Sequence, residues 1–134
     1  MDAKLRAKIL DVLKRHHFMA LATIRPDGYP QATTVNYVHD DLTIYFATDA
    51  TSQKAGNIQL NDKVSVAIAS ETQDAYKLRG LSLSGTAKRV LDAERLQELR
   101  IKLFQKPFAP DQRPDHEPTP IYDMGVVTRR LCTS

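Results

Sequence analysis

The residues best suited to chemistry are Ser52, Gln53 and Lys54, which open a short helix after a polar bend. The first turn of a helix carries partial positive charge and usually favours acidic side chains. Here it holds an amide and an ammonium group and no acid. A hydroxyl, free backbone N–H groups and an ammonium group together suit a phosphate. The alternative is that Ser52 only caps the helix while Lys54 extends into water. Taken alone, the segment favours that alternative.

Other catalytic signatures are absent from the sequence. It has no nucleotide phosphate loop, no dinucleotide-binding glycine motif, no His-Glu-x-x-His pattern and no nucleophile elbow. Tyr37, His39 and Tyr76 are acid–base candidates by residue type, but a structural role is favoured for each. The single cysteine, Cys132, lies near the C-terminus, so we expect neither an internal disulfide nor a cysteine metal cluster. No metal site is predicted.

Composition bounds the class of protein. The chain has 134 residues, 42% of them hydrophobic and 26% charged, as expected for one globular domain spanning 1–134. No apolar run approaches the roughly 20 residues of a membrane span, and the charged N-terminus does not resemble a signal peptide. We therefore expect a cytoplasmic protein. The net charge of +3 fits an anionic small molecule or simple solubility as well as it fits nucleic acid. The lack of tryptophan and of an arginine-rich stripe argues against nucleic acid.

Hydrophobic periodicity predicts a mainly β fold with flanking helices. Helices are expected at 2–16, where Asp2 can cap the start, at 52–60 and at 93–104, where Asp92 is the cap. Strands are expected at 18–24, 30–38, 42–47, 64–69, 78–90 and 121–131. Pro26 and Gly28 favour a tight turn after the first strand, so the first three strands form a predicted antiparallel meander. Residues 71–77 read as a polar loop. Residues 105–120 hold five of the seven prolines, so they predict an irregular loop of unassigned role.

The order of these elements resembles the FMN-binding split barrel family of pyridoxamine 5′-phosphate oxidase and its relatives. The resemblance covers residues 20–90. It rests on Leu-Ala-Thr at 21–23, the Asp-Gly turn, Tyr-Phe-Ala-Thr at 45–48, Ser-Gln-Lys at 52–54 and Ser-Gly-Thr-Ala at 84–87. Each motif is weak alone, and the ordered series with these gaps is more specific.

The resemblance implies an antiparallel split β-barrel that forms a homodimer with two flavin sites at the interface. It also implies that the isoalloxazine ring of FMN lies along the second strand. The phosphate and ribityl chain would lie between the end of the third strand and the Ser-Gln-Lys helix start, and Arg79 and Gly80 would reach the flavin from the partner subunit. The implied cofactor-binding residues are Thr33, Thr34, Val35, Asn36, Ala47, Thr48, Ser52, Gln53, Lys54 and Arg79.

The sequence departs from the vitamin B6 oxidase at three implied positions. An arginine on the phosphate is replaced by Thr33, a substrate-binding lysine by Val38, and a fifth-strand glutamine by Gly80. Losing the lysine argues against oxidation of pyridoxamine phosphate. Losing the arginine removes a charge-assisted contact of roughly 1.5–3 kcal/mol, for which Arg25 or Arg79 could compensate.

The expected function is therefore that of a flavin-dependent oxidoreductase acting on an unidentified small molecule. Two alternatives stay open. One is a non-catalytic flavin-binding sensor or carrier. The other is a reductase that uses the deazaflavin F420, which split barrels also bind.

Overall fold

The computed structural model describes residues 3–69, 79–104 and 119–133. The predicted cap at Asp2, the polar loop at 71–77 with Tyr76, and residues 105–118 of the proline-rich loop lie outside the described residues. The elements are α1 (Ala3–Arg15), β1 (Phe18–Ile24), β2 (Pro30–Asn36), β3 (Val38–Asp40), β4 (Thr43–Ala47), α2 (Gln53–Leu60), β5 (Lys63–Ala69), β6 (Arg79–Arg89), α3 (Ala93–Phe104) and β7 (Ile121–Thr133).

The seven strands form one sheet in the order β2-β1-β5-β6-β7-β4-β3, with antiparallel pairing throughout. Its two edge strands, β2 and β3, are separated in the chain only by Tyr37. The sheet must therefore curl until β2 and β3 lie near each other. These two strands do not pair, so the barrel stays open between them. This arrangement confirms the predicted antiparallel split barrel with flanking helices.

The predicted meander is wrong at its third strand. β4 pairs with β3 and β7 and not with β2, and the single strand expected at 30–38 is two strands. The break has a physical cause at Tyr37. Its backbone N–H donates to the carbonyl of His17 (3.0 Å), and its buried hydroxyl donates to the carbonyl of Leu13 (2.8 Å). These bonds fix the corner at which the chain passes from one edge of the sheet to the other.

Tyr37 also predicts a loss of stability in alkali. Burial raises its pKa from 10.0 to about 12. The folded protein then holds the phenol proton more tightly than the unfolded chain does. Below pH 10 both states keep this proton, so its ionisation does not change the free energy of unfolding. Between pH 10 and 12 it lowers the free energy of unfolding by at most about 1.4 kcal/mol per pH unit. Urea unfolding across this range measures the slope. Tyr37→Phe should lack this component and Tyr29→Phe, at an exposed position, should keep it; equal slopes in all three proteins would contradict the prediction.

The core lies inside the curled sheet and is closed by two helices. Ile9 and Leu13 of α1 are buried against the barrel interior, as their helical spacing predicts. Leu99 and Leu103 of α3 cover a second cluster on the outside of β3, β4 and β7. Each buried aliphatic or aromatic side chain contributes about 1.5–3 kcal/mol relative to exposure. The two helices therefore hold the edges of the sheet in place.

Local features follow the sequence closely, with one exception. Gly28 has a φ of +88°, and its N–H donates to the carbonyl of Arg25 (2.9 Å), closing the predicted turn. The β6–β7 register shifts between Ser84 and Gly85, where the extra residue belongs to β7, because Ser84 pairs with Thr128 and Gly85 with Val126. Asp92 caps α3 by accepting from the Glu94 N–H (3.1 Å). The exception is Leu91, which is 80% exposed and so does not form the apolar contact that often precedes a helix.

Candidate functional site

A cleft of about 420 Å³ opens where β2 approaches the end of β4 and the start of α2. It is lined by Phe18, Thr34, Val35, Asn36, Ala47, Thr48, Asp49, Ser52 and Lys54. Its size falls within the range of small-molecule and cofactor sites. In the part of the chain that the structure describes, its lining combines hydroxyl groups, an amide, a carboxylate, one ammonium group and one aromatic ring.

The start of α2 forms one wall of the cleft. Ser52 is the N-cap, and its Oγ accepts from the backbone N–H of Ala55 (3.2 Å) and lies 2.9 Å from Thr48 Oγ1. The Gly56 N–H donates the first hydrogen bond of the helix, to the Ser52 carbonyl (3.2 Å). The backbone N–H groups of Gln53 and Lys54 come earlier in the chain and have no acceptor within the helix. The helix start therefore offers donor groups to an anion, and the buried Thr48 fixes the hydroxyl of its cap.

Lys54 supplies the positive charge of the cleft. Its side chain is half-buried, the first turn of α2 holds no acidic residue, and no ion pair to Lys54 occurs within the described residues. Asp49 also lines the cleft, and its Oδ1 accepts from the N–H (2.8 Å) and hydroxyl (2.7 Å) of Thr51. The ammonium group of Lys54 is thus available to an anionic ligand in the part of the molecule that the structure describes.

The opposite wall is the outer face of the β1–β2 hairpin. Asn36 lies directly across from Phe18 in the strand register, and its Nδ2 donates to the carbonyl of Leu103 at the end of α3 (3.0 Å). Thr34 is the next outward residue along β2. This wall therefore joins a fixed amide, an exposed hydroxyl and an aromatic ring.

Seven of the ten predicted cofactor-binding residues come together in this cleft: Thr34, Val35, Asn36, Ala47, Thr48, Ser52 and Lys54. Thr33 does not line it, since alternation along β2 turns its side chain to the other face, where its Oγ1 is buried without a hydrogen-bond partner among the described residues. Gln53 points away from it and donates to Asn57 Oδ1 (2.8 Å). Arg79 begins β6, and its side chain is outside the described set.

The other candidates lie elsewhere. Tyr37 is buried beneath α1, and the Nδ1 of His39 is 3.0 Å from the carbonyl of Asp41. Arg25 forms an ion pair with Asp27 (2.5 Å) in the turn at the far end of the hairpin, about 23 Å of strand away from Phe18. Within one chain, Arg25 is therefore too distant to replace the missing arginine.

Phe18 and Asp49 also line the cleft, but the sequence did not predict them as site residues. An apolar residue that opens a strand is usually assigned to the core, and an Asp after Thr48 reads as a turn residue. The register of the β1–β2 hairpin could have identified Phe18 as a site residue. Counting back from the Ile24–Pro30 pair beside the turn places Phe18 opposite Asn36, which was already a candidate.

A buried amide positions the helix start against the hairpin. Asn57 of α2 is fully buried, and its Nδ2 donates to Thr23 Oγ1 (3.0 Å) and Gln31 Oε1 (3.0 Å). Its Oδ1 accepts from Gln53. This network ties α2 to both β1 and β2, and so it sets the distance between the two walls of the cleft.

Comparison with known proteins adds the family context. The model of the pyridoxamine 5′-phosphate oxidase family matches residues 5–128. General stress protein 26 of Bacillus subtilis is 33% identical over 87 residues, which are 63% of this chain and 59% of that protein. The alignment thus spans less than two thirds of that curated relative.

Solved structures share the fold over nearly the whole chain. A Listeria innocua protein, provisionally named a pyridoxamine 5′-phosphate oxidase, is 20% identical with a TM-score of 0.80, covering 97% of this chain and 99% of its own. The heme storage protein HutZ of Vibrio cholerae is 16% identical with a TM-score of 0.73, covering 96% and 94%. At these identities the likeness concerns the fold alone. No helix among the described residues has the length and apolar character needed to cross a membrane.

Proposed function

The chain belongs to the pyridoxamine 5′-phosphate oxidase family, and we propose that it binds FMN in the cleft between β2 and α2. We further propose that it is a cytoplasmic flavin-dependent oxidoreductase acting on a small molecule other than pyridoxamine phosphate. The observation that carries the proposal is Lys54. A half-buried ammonium group lines a cleft beside two helical N–H groups, and no carboxylate pairs with it among the described residues. A phosphate bound there would be stabilised by charge and by hydrogen bonds from the helix start.

The residues of the cleft fit the rest of an FMN molecule as well. Thr34 and Asn36 offer polar groups on the hairpin wall, and Ala47 offers apolar contact. Val35 borders the cleft, but its side chain is buried in the core. FMN supplies the redox chemistry when bound, and the protein binds and orients it. The chain's own contribution is thus to hold the cofactor between a rigid sheet and the start of α2.

The substrate proposed for this site differs from that of the vitamin B6 oxidase. The position at which the resemblance implies a substrate lysine is Val38, whose side chain packs in the apolar cluster beneath α3. An apolar side chain in that position offers no charge to a substrate phosphate. This supports a different small molecule as the electron donor or acceptor.

We also propose that the protein is a homodimer with its flavin sites at the interface. The outer faces of β2, β1, β5 and β6 support this. Two rows of paired residues cross these strands, and their members are small and uncharged: Thr34, Ala20, Ala67 and Ser82 in one row, and Ala32, Ala22, Ser65 and Ser84 in the other. These residues are exposed or half-buried, and a wide accessible surface without charge favours an interface. A second copy of the chain covering it would border the cleft at Thr34.

Absorption spectroscopy of the purified protein, followed by titration of cofactor-free protein with FMN, F420 and hemin, tests the proposal. We expect saturable FMN binding at one site per chain and, in sedimentation velocity, a particle of two chains. Steady turnover of the bound flavin with NAD(P)H or another reductant would distinguish an oxidoreductase from a flavin-binding sensor or carrier. Binding of hemin or F420 with no affinity for FMN would reject the flavin proposal.

A further inference from the structure

Phe18 is an unusual residue for its position. It opens β1, in which Met19 and Leu21 point into the core while the outward positions Ala20 and Ala22 are small. Phe18 also points outward and is 63% exposed, at the mouth of the cleft. Among the described residues, it is the one aromatic side chain that lines the cleft. A large aromatic side chain on this face leaves its apolar surface in water unless a ligand or a second subunit covers it.

The side chain next to Phe18 is the amide of Asn36. Asn36 lies directly opposite in the antiparallel pairing of β1 and β2, so the two side chains share one face with Cβ atoms about 5 Å apart. The bond from Asn36 Nδ2 to the Leu103 carbonyl holds the amide in place. An aromatic surface beside a fixed amide suits a planar heteroaromatic ring. Such a ring can stack on Phe18 and form a hydrogen bond at its edge with the amide of Asn36.

We propose that Phe18 is the residue that receives the planar ring of the ligand. This inference rests on the proposed function, and it orients the cofactor within the cleft. The heteroaromatic ring lies against Phe18 and Asn36 on the hairpin wall, and the phosphate lies against Ser52 and Lys54 on the helix wall. Phe18 therefore contributes to the affinity for any ligand that carries the ring, with or without a phosphate.

Paired titrations with FMN and riboflavin test this assignment. Phe18→Ala should weaken both ligands by the same factor, about tenfold, because it removes a contact to the ring that they share. Lys54→Ala should weaken FMN alone. Tyr29→Ala is the matched control, since Tyr29 is 69% exposed on the same hairpin and does not line the cleft; it should change neither affinity.

A second pair of variants keeps the test independent of folding effects. The chain contains no tryptophan, so Phe18→Trp and Tyr29→Trp each introduce a single indole. Contact between the indole and a bound flavin quenches the flavin emission. Emission from bound riboflavin should therefore fall in Phe18→Trp relative to the wild-type complex and stay unchanged in Tyr29→Trp.

Three outcomes would overturn the assignment. If Lys54→Ala weakens FMN but neither Phe18 variant alters riboflavin affinity or emission, the flavin site stands and the role of Phe18 does not. If Phe18→Ala dissociates the dimer in sedimentation, Phe18 contacts the second subunit instead of the ring. If the wild-type protein binds no flavin, both the proposed function and this inference fail.

Discussion

Replacing Lys54 with alanine is expected to weaken FMN binding by about ten- to a hundredfold while leaving the affinity for riboflavin unchanged. A hydrogen bond to a charged group contributes about 1.5–3 kcal/mol, and each 1.36 kcal/mol corresponds to a factor of ten. Riboflavin has the same ring and ribityl chain and lacks only the phosphate. The difference between the two ligands therefore isolates the contact that Lys54 makes.

Three further measurements sharpen this test. Lys54→Arg keeps the charge and should recover part of the FMN affinity. Lys102→Ala removes one positive charge from an exposed site on α3 and should leave both ligands unaffected. Raising the salt concentration should narrow the gap between FMN and riboflavin for the wild-type protein, because salt screens a partly exposed charge. Equal FMN affinity in wild type and Lys54→Ala would remove Lys54 from the site.

Replacing Asn57 with alanine is expected to cause the largest loss of stability among the polar residues near the site. The change removes three side-chain hydrogen bonds and leaves the buried hydroxyl of Thr23 without its partner. An unpaired buried group costs about 1–3 kcal/mol in addition to the bonds lost. We expect the free energy of unfolding to fall by about 3 kcal/mol and the melting temperature by roughly 10 °C.

The Asn57→Ala substitution should also weaken FMN binding indirectly. Asn57 fixes α2 against the hairpin, so FMN affinity should fall along with stability although Asn57 does not line the cleft. Gln59→Ala, at an exposed position of the same helix, is the control for helix content and should change neither quantity. Calorimetry and FMN titration of both variants measure the two effects. A stable Asn57→Ala protein with normal FMN affinity would show that the network does not position the helix start.

The sequence predicted the parts of the molecule that depend on local chemistry. Alternation along β1, β4 and β5 gave their bounds to within one residue, because a strand with one buried face requires a period of two. Ser52 was identifiable as the N-cap of α2, since its hydroxyl satisfies a helix N–H wherever the helix packs. The resemblance then located most of the cleft, because the cleft is built from strand and helix ends with distinctive local motifs.

The rest depends on contacts between residues far apart in the chain. Residues 30–38 alternate without interruption, so nothing local marks the break at Tyr37, which depends on bonds to His17 and Leu13. Thr33 and Thr34 are chemically alike, and only the register against β1 decides which faces the cleft. Asn57 resembles an ordinary polar surface residue until Thr23 and Gln31 are seen beside it.

The position of β7 in the sheet has a consequence for how the chain folds. β7 is the last strand in sequence, yet it lies between β6 and β4 and pairs with both. Before it joins, the sheet consists of two separate pieces, β2-β1-β5-β6 and β4-β3, which the chain connects at the Tyr37 corner and through α2. During synthesis the barrel therefore cannot close until β7 has left the ribosome. Closure is a late, non-local step, which is the kind that slows folding and leaves strand edges exposed to aggregation.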